Sequence, residues 1–532
     1  MSRICRTSLP LVLSLVLGCS PAPPGPDAPP MPPDFPDAAA WSTSGPGGPT
    51  TTFAQDALWE HCAYLLGGEQ DAEHHNLVAM YDGWLVMPWA PEEGGGGVSL
   101  FDVSAPCAPV LHGQGYSPLM RESHSLGFST VNGRDYLAVD YHGGLAVERG
   151  GGGDDDDIPT GEVLGGVGFW DITDRAAPVW ISELDLPGYH YPDSYTRLTL
   201  SVFWQGPWVF VSGTSNGVYI VDASDPTNPT LAAQYLFDPG LLVGSFHVIG
   251  NLAMASTAGG IRTVLMDVSD PLRPEPIPGG EFNVGDGDGR PRAYYFANVG
   301  GNYGLFARKD GGGGPILYDL RDPSRPRFAG DAPTPDGSGG YVALHGQYVF
   351  IGDSNFGSVW DFTEERAPVE LGRMQLQGDF DTLVPIGNVA IASVDASSAP
   401  GQATAVVPWQ MAPDDRGPRV GLTSPQDGDR FVALTGRVGL SFDEQIEPMS
   451  VHPGSARLWS LRGDGDGWQT AAVSVDINVQ ETVVNLTPRA PLEPDTTYVL
   501  QLPVGGIADT TGNPLEQAME LRFSTGAAVH RE

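Results

Sequence analysis

The chain has 532 residues and a formal net charge of −38, with 65 acidic against 27 basic side chains. That length argues for more than one domain, because single cores rarely grow past ~300 residues. So acidic a balance, with Lys309 as the only lysine, argues against a nucleic-acid partner, since that binding rests on Lys and Arg meeting phosphate. Gly (71) and Pro (49) are abundant beside 41% hydrophobic residues, which fits a turn-rich all-β protein with real cores.

The N-terminus reads as an address. Arg3 and Arg6 precede an apolar run from Leu9 to Leu17, a positive n-region and a short h-region. The run is too short for a bilayer core, which takes ~20 apolar residues. Val16-Leu17-Gly18-Cys19 resembles the bacterial lipobox. The resemblance implies a signal peptide over 1–18 and a diacylated Cys19 as the mature N-terminus. With Ser20 next, it implies an outer-membrane lipoprotein, periplasmic or surface-exposed, held to the membrane by its lipid. An ordinary secretory signal with an incidental cysteine is the alternative. Residues 19–56 are dense in Pro, Ala, Gly and Ser. Such a run buries little apolar surface and is expected to be a tether. Cys5 leaves with the signal, so Cys62 and Cys107 remain. An oxidising compartment favours a disulfide between them over two buried thiols.

The body, expected over 57–416, is a repeat. A Gly-rich turn and alternating apolar residues lead to an Asp, usually Ser or Thr two positions on, and Pro seven after the Asp. The Asp anchors are Asp102, Asp171, Asp222, Asp267, Asp319 and Asp361. Position +2 is Ser or Thr except at Arg321. A worn seventh copy, Val406 to Pro418, keeps the Pro offset if Met411 takes the Asp place. Period-2 alternation makes a half-buried strand. The Asp carboxylate suits backbone N–H groups of a following tight turn, and Pro starts the next, outer strand. These Asp residues are therefore read as structural. Two further strands precede each anchor, as at Leu126–Val131 and Tyr136–Asp140, or Phe246–Ile249 and Leu252–Ser256. Four strands per ~50 residues is the blade of a β-propeller. Val218-Tyr219-Ile220-Val221-Asp222 resembles the LVIVD-repeat family of bacterial and archaeal surface proteins. A seven-bladed propeller is expected, with the strand-like stretch His61–Gly67 completing the last blade so that no sheet edge stays open. That closure would bring Cys62 near Cys107.

From about residue 417 to 527 the pattern changes to about seven short strands. Val438–Phe442, Ala456–Trp459, Ala472–Ile477, Thr482–Leu486, Tyr498–Leu502 and Glu520–Phe523 are among them. Leu492 to Tyr498, Ile507 to Pro514 and Phe523 to Gly526 resemble the bacterial Ig-like domain of S-layer (SbsA) type, a family of spacers and adhesion modules. The fold class is thus all-β, a propeller followed by an Ig-like sandwich. Asp464 and Asp466 lack the ligand series of a calcium loop and read as a solvated turn.

Binding candidates gather on the propeller face that carries the entry to each inner strand. They are His74 and His75 beside Glu73, His124 near Glu122, His190 with Tyr191, and Tyr195. His74 and His124 are nine residues before their hairpin glycines, so both are expected to point toward the axis. Imidazoles with nearby Glu suit a transition metal, but hydrogen-bonded channel histidines are the plainer reading. The Asp102–Asp171 interval is 69 residues against 42 to 52 for the others. The excess is an insertion holding Asp154, Asp155, Asp156 and Asp157, whose carboxylates attract cations. Weak Ca²⁺ binding is weighed there against a solvated loop, and no other cofactor is expected. Asp286-Gly287-Asp288 is a second acidic loop. Gly-x-Ser-x-Gly, Walker, His-Glu-x-x-His and Cys-x-x-Cys patterns are missing, so no catalytic residue is assigned. The reading is an envelope scaffold that binds an unidentified protein or glycan. The alternative is a propeller hydrolase or lyase built on His74, His124 or His190.

Overall fold

The computed structural model describes residues 37–66, 77–90, 95–120, 125–142, 163–191, 201–395, 401–463 and 468–530. Among the described residues from 63 to 408, the strands form seven four-stranded antiparallel sheets. Six of them take their strands in chain order, over 79–117, 127–191, 202–235, 243–283, 294–331 and 342–374. The seventh combines three strands of 379–408 with Ala63–Tyr64 from the N-terminal segment. Ala63 pairs with Val406 and Tyr64 with Ala405. Amide bonds from Trp59, Cys62 and Leu65 to Pro408, Val406 and Thr404 extend the ladder on both sides.

The sheets pack face to face in a ring. One apolar cluster joins sheets five, six, seven, one and two, a second joins three, four and five, and a third joins two and three. Every inter-sheet boundary is thereby covered with buried apolar side chains. This is the propeller solution, in which radial repetition leaves only short, protected edges. No helix among the described residues is long and apolar enough to cross a membrane.

The repeat physics is visible at each anchor. Asp102, Asp171, Asp222, Asp267, Asp319 and Asp361 each end a third strand, and each carboxylate accepts the N–H two residues on, at 2.8–3.0 Å. At Asp319 the exceptional Arg321 adds a side-chain ion pair. The fourth strand starts one residue after the repeat Pro in all six, at Val110, Val179, Thr230, Glu275, Arg327 and Val369. Just before every anchor the pairing of third and fourth strands slips by a bulge, which bends the outer strand and increases its twist. No sequence pattern announced these bulges.

The seventh copy departs from its expected alignment. Val389 lies opposite Pro408, where Trp208, Leu252, Tyr303 and Tyr348 lie opposite an anchor Asp. Pro408, not Met411, holds the anchor place. No fourth strand follows it in the chain, so there is no third-to-fourth turn for a carboxylate to hold.

The C-terminal part is a sandwich of two four-stranded sheets. One runs in the order Val420–Ser424, Val438–Phe442, Val483–Pro488, Val475–Gln480. The other runs Trp468–Ala472, Arg457–Gly463, Thr497–Leu502, Met519–Ser524. Val438, Leu440, Phe442, Val484, Leu486, Leu500 and Phe523 fill the space between them. The single strand expected over Ala472–Ile477 is two strands, because the chain crosses from one sheet to the other at Val473 and Ser474.

Cys62 and Cys107 form a disulfide, with Cα atoms 5.0 Å apart. It ties the N-terminal strand of the seventh sheet to the outer turn of the first. The bond closes a 45-residue separation, for which about 2–4 kcal/mol of stabilisation is typical. The Cys62→Ser/Cys107→Ser variant is expected to unfold at lower temperature and lower denaturant than the oxidised chain, and to match the parent after both are reduced.

Candidate functional site

Antiparallel strands give the propeller two unlike faces. Turns between first and second strands, and between third and fourth, lie on one. Connections from second to third strands, and from each fourth strand to the next sheet, lie on the other.

The Ig-like domain covers the first of these faces. Its sheet alternates apolar residues toward its own core with polar ones toward the propeller. Asn485, 1% exposed, accepts the Gly250 N–H (2.7 Å) and the Gln205 amide (2.9 Å) and donates to Val248 O (2.9 Å). Asn478 accepts the Gly206 N–H and donates to Phe128 O. Gln480 accepts from Trp204 N and donates to Val202 O. Thr482 donates to Val299 O. Beside it, Glu481 at the hairpin tip accepts the Tyr341 hydroxyl (2.5 Å) and the Asn298 amide (2.8 Å). Partners therefore come from the first strands of sheets two to six, which line the axis of a propeller. Gly439 and Gly421 permit the approach. A Cβ at Gly439 would sit 1.9 Å from Gly250 N, and one at Gly421 2.3 Å from the Gly301 carbonyl carbon.

Sheet one is held by Glu447, which accepts the N–H groups of Asp82 and Gly83 and its own Met449 N–H. Burial pushes its carboxyl up to about 7, against the pull of those donors. The last part of the expected tether is bound here too. Gly45 and Gly47 donate to the Asp82–Gly83 turn, Gly48 to Thr510 O and Phe53 to Met411 O. Thr51 O accepts from Asn388. Residues 45–53 are thus a strap across the seam, not free chain.

The opposite face is left to the connecting loops. The segments 67–76, 121–124 and 192–200 lead from a fourth strand to the next first strand. The segments 91–94, 143–162 and 396–400 lead from second to third strands. His74, His75, His124, Tyr195 and Asp154 to Asp157 lie in these segments, outside the described residues, as do Cys19, Asp464 and Asp466. His190 and Tyr191 are in the strand Val179–Tyr191, described for their backbone alone.

Described polar groups on this face are committed to structure. Asp353, fully buried, accepts Gly314 N–H and the Thr334 hydroxyl, each at 2.9 Å, pinning sheet five to sheet six. Burial raises its carboxyl to about 7, opposed by those two bonds. Asp286 accepts the N–H groups of Asp288 and Arg290 and pairs with Arg292 (2.7 Å). The second acidic loop is therefore a turn whose Asp286 carboxylate is paired. Buried Arg308 pairs with Asp331 (2.6 Å), and Lys309 sits over the Tyr295 ring (3.8 Å). Tyr294 and Tyr189 are buried core residues. Among the described residues, the side chains that converge as metal ligands do are His345, Asp414 and Glu444, on the covered face. Sequence reading missed them because they come from three distant segments.

This geometry defines an all-β propeller protein capped by an Ig-like domain. Residues 414–525 match the family model of the bacterial Ig-like domain, and residues 198–236 match that of the LVIVD repeat. No curated protein matches the chain. Similar solved structures include a protein from Lactobacillus plantarum (12% identity, TM-score 0.42, covering 59% of this chain and 95% of that one). Another is the β-propeller domain of Cps50 (Swd1) from Myceliophteria thermophila (13%, 0.42, 64% and 98%). A third is a periplasmic gluconolactonase from Pseudomonas aeruginosa (11%, 0.43, 61% and 85%). At these identities they say nothing of chemistry.

Two outcomes are expected. Asn485→Ala strands three buried partners and should cost about 2–4 kcal/mol, read as a lower unfolding midpoint. The second concerns Asp353, whose folded carboxyl is raised from 3.8 to about 7. Between those pH values the unfolded chain releases the proton first. Stability from this group is therefore full below about pH 4, is lost as pH rises to about 7, and changes no further above it. The loss is on the order of 4 kcal/mol. Asp353→Asn keeps an acceptor for Gly314 and a partner for Thr334, so it should flatten this slope and be the more stable protein at pH 8 in denaturant titrations.

Proposed function

We propose that the chain is a cell-envelope lipoprotein that acts as a non-catalytic binding scaffold, presenting one propeller face to a protein or glycan partner. The observation that carries this reading is the seating of the Ig-like sheet across the turns of one face. It consumes that face and leaves the loops of the other as the surface available for recognition. The segments that join the strands on that side include His74, His75, His124, Tyr195 and the Asp154–Asp157 run, all outside the described residues. Connecting loops on a rigid scaffold are where binding residues concentrate. In this reading Cys19 carries lipid, the segment that follows it gives reach, and the strap, which Ser44 joins through Asp82, fixes the body to its leash.

Two measurements test it. Cys19→Ser should move the protein from the membrane pellet to the soluble fraction, and continued membrane association would count against the anchor. Immobilised full-length protein should capture an envelope protein or glycan saturably. His124→Ala, or Asp154–Asp157 changed to Asn, should weaken that capture about 5- to 30-fold. Capture unchanged by both variants, or hydrolytic turnover lost in His124→Ala, would replace the scaffold reading with another.

A further inference from the structure

The covered face holds a constellation that the scaffold reading does not use. His345 ends the first strand of sheet six, Val342–His345. Asp414 lies in the connection between the propeller and the Ig-like domain. Glu444 follows the Ig strand Val438–Phe442. His345 Nε2 is 3.1 Å from Asp414 Oδ2, and Nδ1 is 3.5 Å from Glu444 Oε2. One ligand atom from each residue can be chosen so that all lie within 4.8 Å of one another. All three side chains are more than nine-tenths buried, at 7%, 7% and 5% exposure.

Several of the polar atoms around these three groups are engaged elsewhere. Asp414 Oδ1 is held by the Arg416 N–H. Its Oδ2, buried and aimed at His345, accepts no hydrogen bond of proper geometry. The His345 ring is fixed by the edge of Trp409, with centroids 5.8 Å apart. Two more carboxylates stand behind these. Asp443 is occupied by the Arg419 N–H, and Asp509 by Thr511 and Asn513. The Arg416 guanidinium donates to Gln347 Oε1 (3.0 Å).

We propose that His345, Asp414 and Glu444 bind one divalent transition-metal ion, of the Zn²⁺ or Mn²⁺ class, which staples the Ig-like domain to the propeller. One imidazole nitrogen with carboxylate oxygens is a donor set for such borderline ions rather than for Ca²⁺ or Mg²⁺, which prefer oxygen alone. The three ligands come from three segments that meet only when the domains are docked. Metal occupancy therefore reports docking and strengthens it.

The test uses the full mature chain without an affinity tag, stripped with EDTA and titrated with Zn²⁺ and Mn²⁺ by calorimetry. One ion per chain is expected, with a rise in the thermal unfolding midpoint that EDTA reverses. His345→Gln and Glu444→Gln should each weaken binding about tenfold or more. If either variant fails to fold, X-ray absorption at the zinc edge of the wild-type protein decides the matter. A shell of one imidazole and carboxylate oxygens is expected. The proposal is overturned by absence of binding in the stripped wild type, by binding unchanged in a folded His345→Gln, or by a shell with no imidazole or more than one. The last two outcomes would place the ion elsewhere, as at Asp154–Asp157 or His74–His75, and leave the open-face scaffold untouched.

Discussion

A sheet array that curls into a ring must pair its last edge, and here the chain's own beginning does so. The three strands of 379–408 would present an open edge on Thr404–Pro408. The ladder from Trp59 to Leu65 fills it. Two distant parts of the sequence become neighbours, and the Cys62–Cys107 bond locks the seam to the adjacent sheet. Open edges invite pairing with other chains, so this closure serves solubility as much as stability.

Closure by the N-terminus frees the C-terminal end of the ring. After Pro408 the chain need not supply an outer strand. It leaves through Asp414 to the propeller face and builds a second domain there. The Ig-like sheet then lies between two partners, its own second sheet and the propeller. Each strand carries an apolar set for the former and an amide-rich set for the latter. Asn478, Gln480 and Asn485 bond mainly to backbone groups at the ends of the propeller's inner strands. Such bonds contribute about 1 kcal/mol net each, yet a missing one costs more. The contact therefore specifies one docking geometry strongly. The Ig-like domain leaves the other propeller face uncovered, and a metal at His345, Asp414 and Glu444 would act on the same joint.

Legibility followed the range of the interactions. The Asp anchors were readable because each carboxylate acts two residues away, within a turn that repeats. The N-terminal closing strand was readable because it resembles the outer strand it replaces. The seventh anchor was misplaced because the Pro offset survives by chance where register does not. The strap at 45–53 reads as tether, since Gly45, Gly47, Gly48, Thr51 and Phe53 bond through backbone groups that composition does not reveal. Of the binding-face histidines, which position in the repeat singles out, His190 lies in the strand Val179–Tyr191, and His74, His75 and His124 lie outside the described residues.

The sequence alone determined the all-β class, the repeat, the cysteine pair and the Ig-like domain, because each is written in local periodicity, turn chemistry or counting. Only the tertiary structure decided which face the second domain occupies. Alternation along Val475–Gln480 and Val483–Pro488 marks one side of the sheet as polar, and polar reads as exposed. That side is buried because Gly439 and Gly421 let backbone meet backbone, and because each amide finds a partner on a sheet hundreds of residues away. The meeting of His345, Asp414 and Glu444 has the same origin, and no local pattern encodes it.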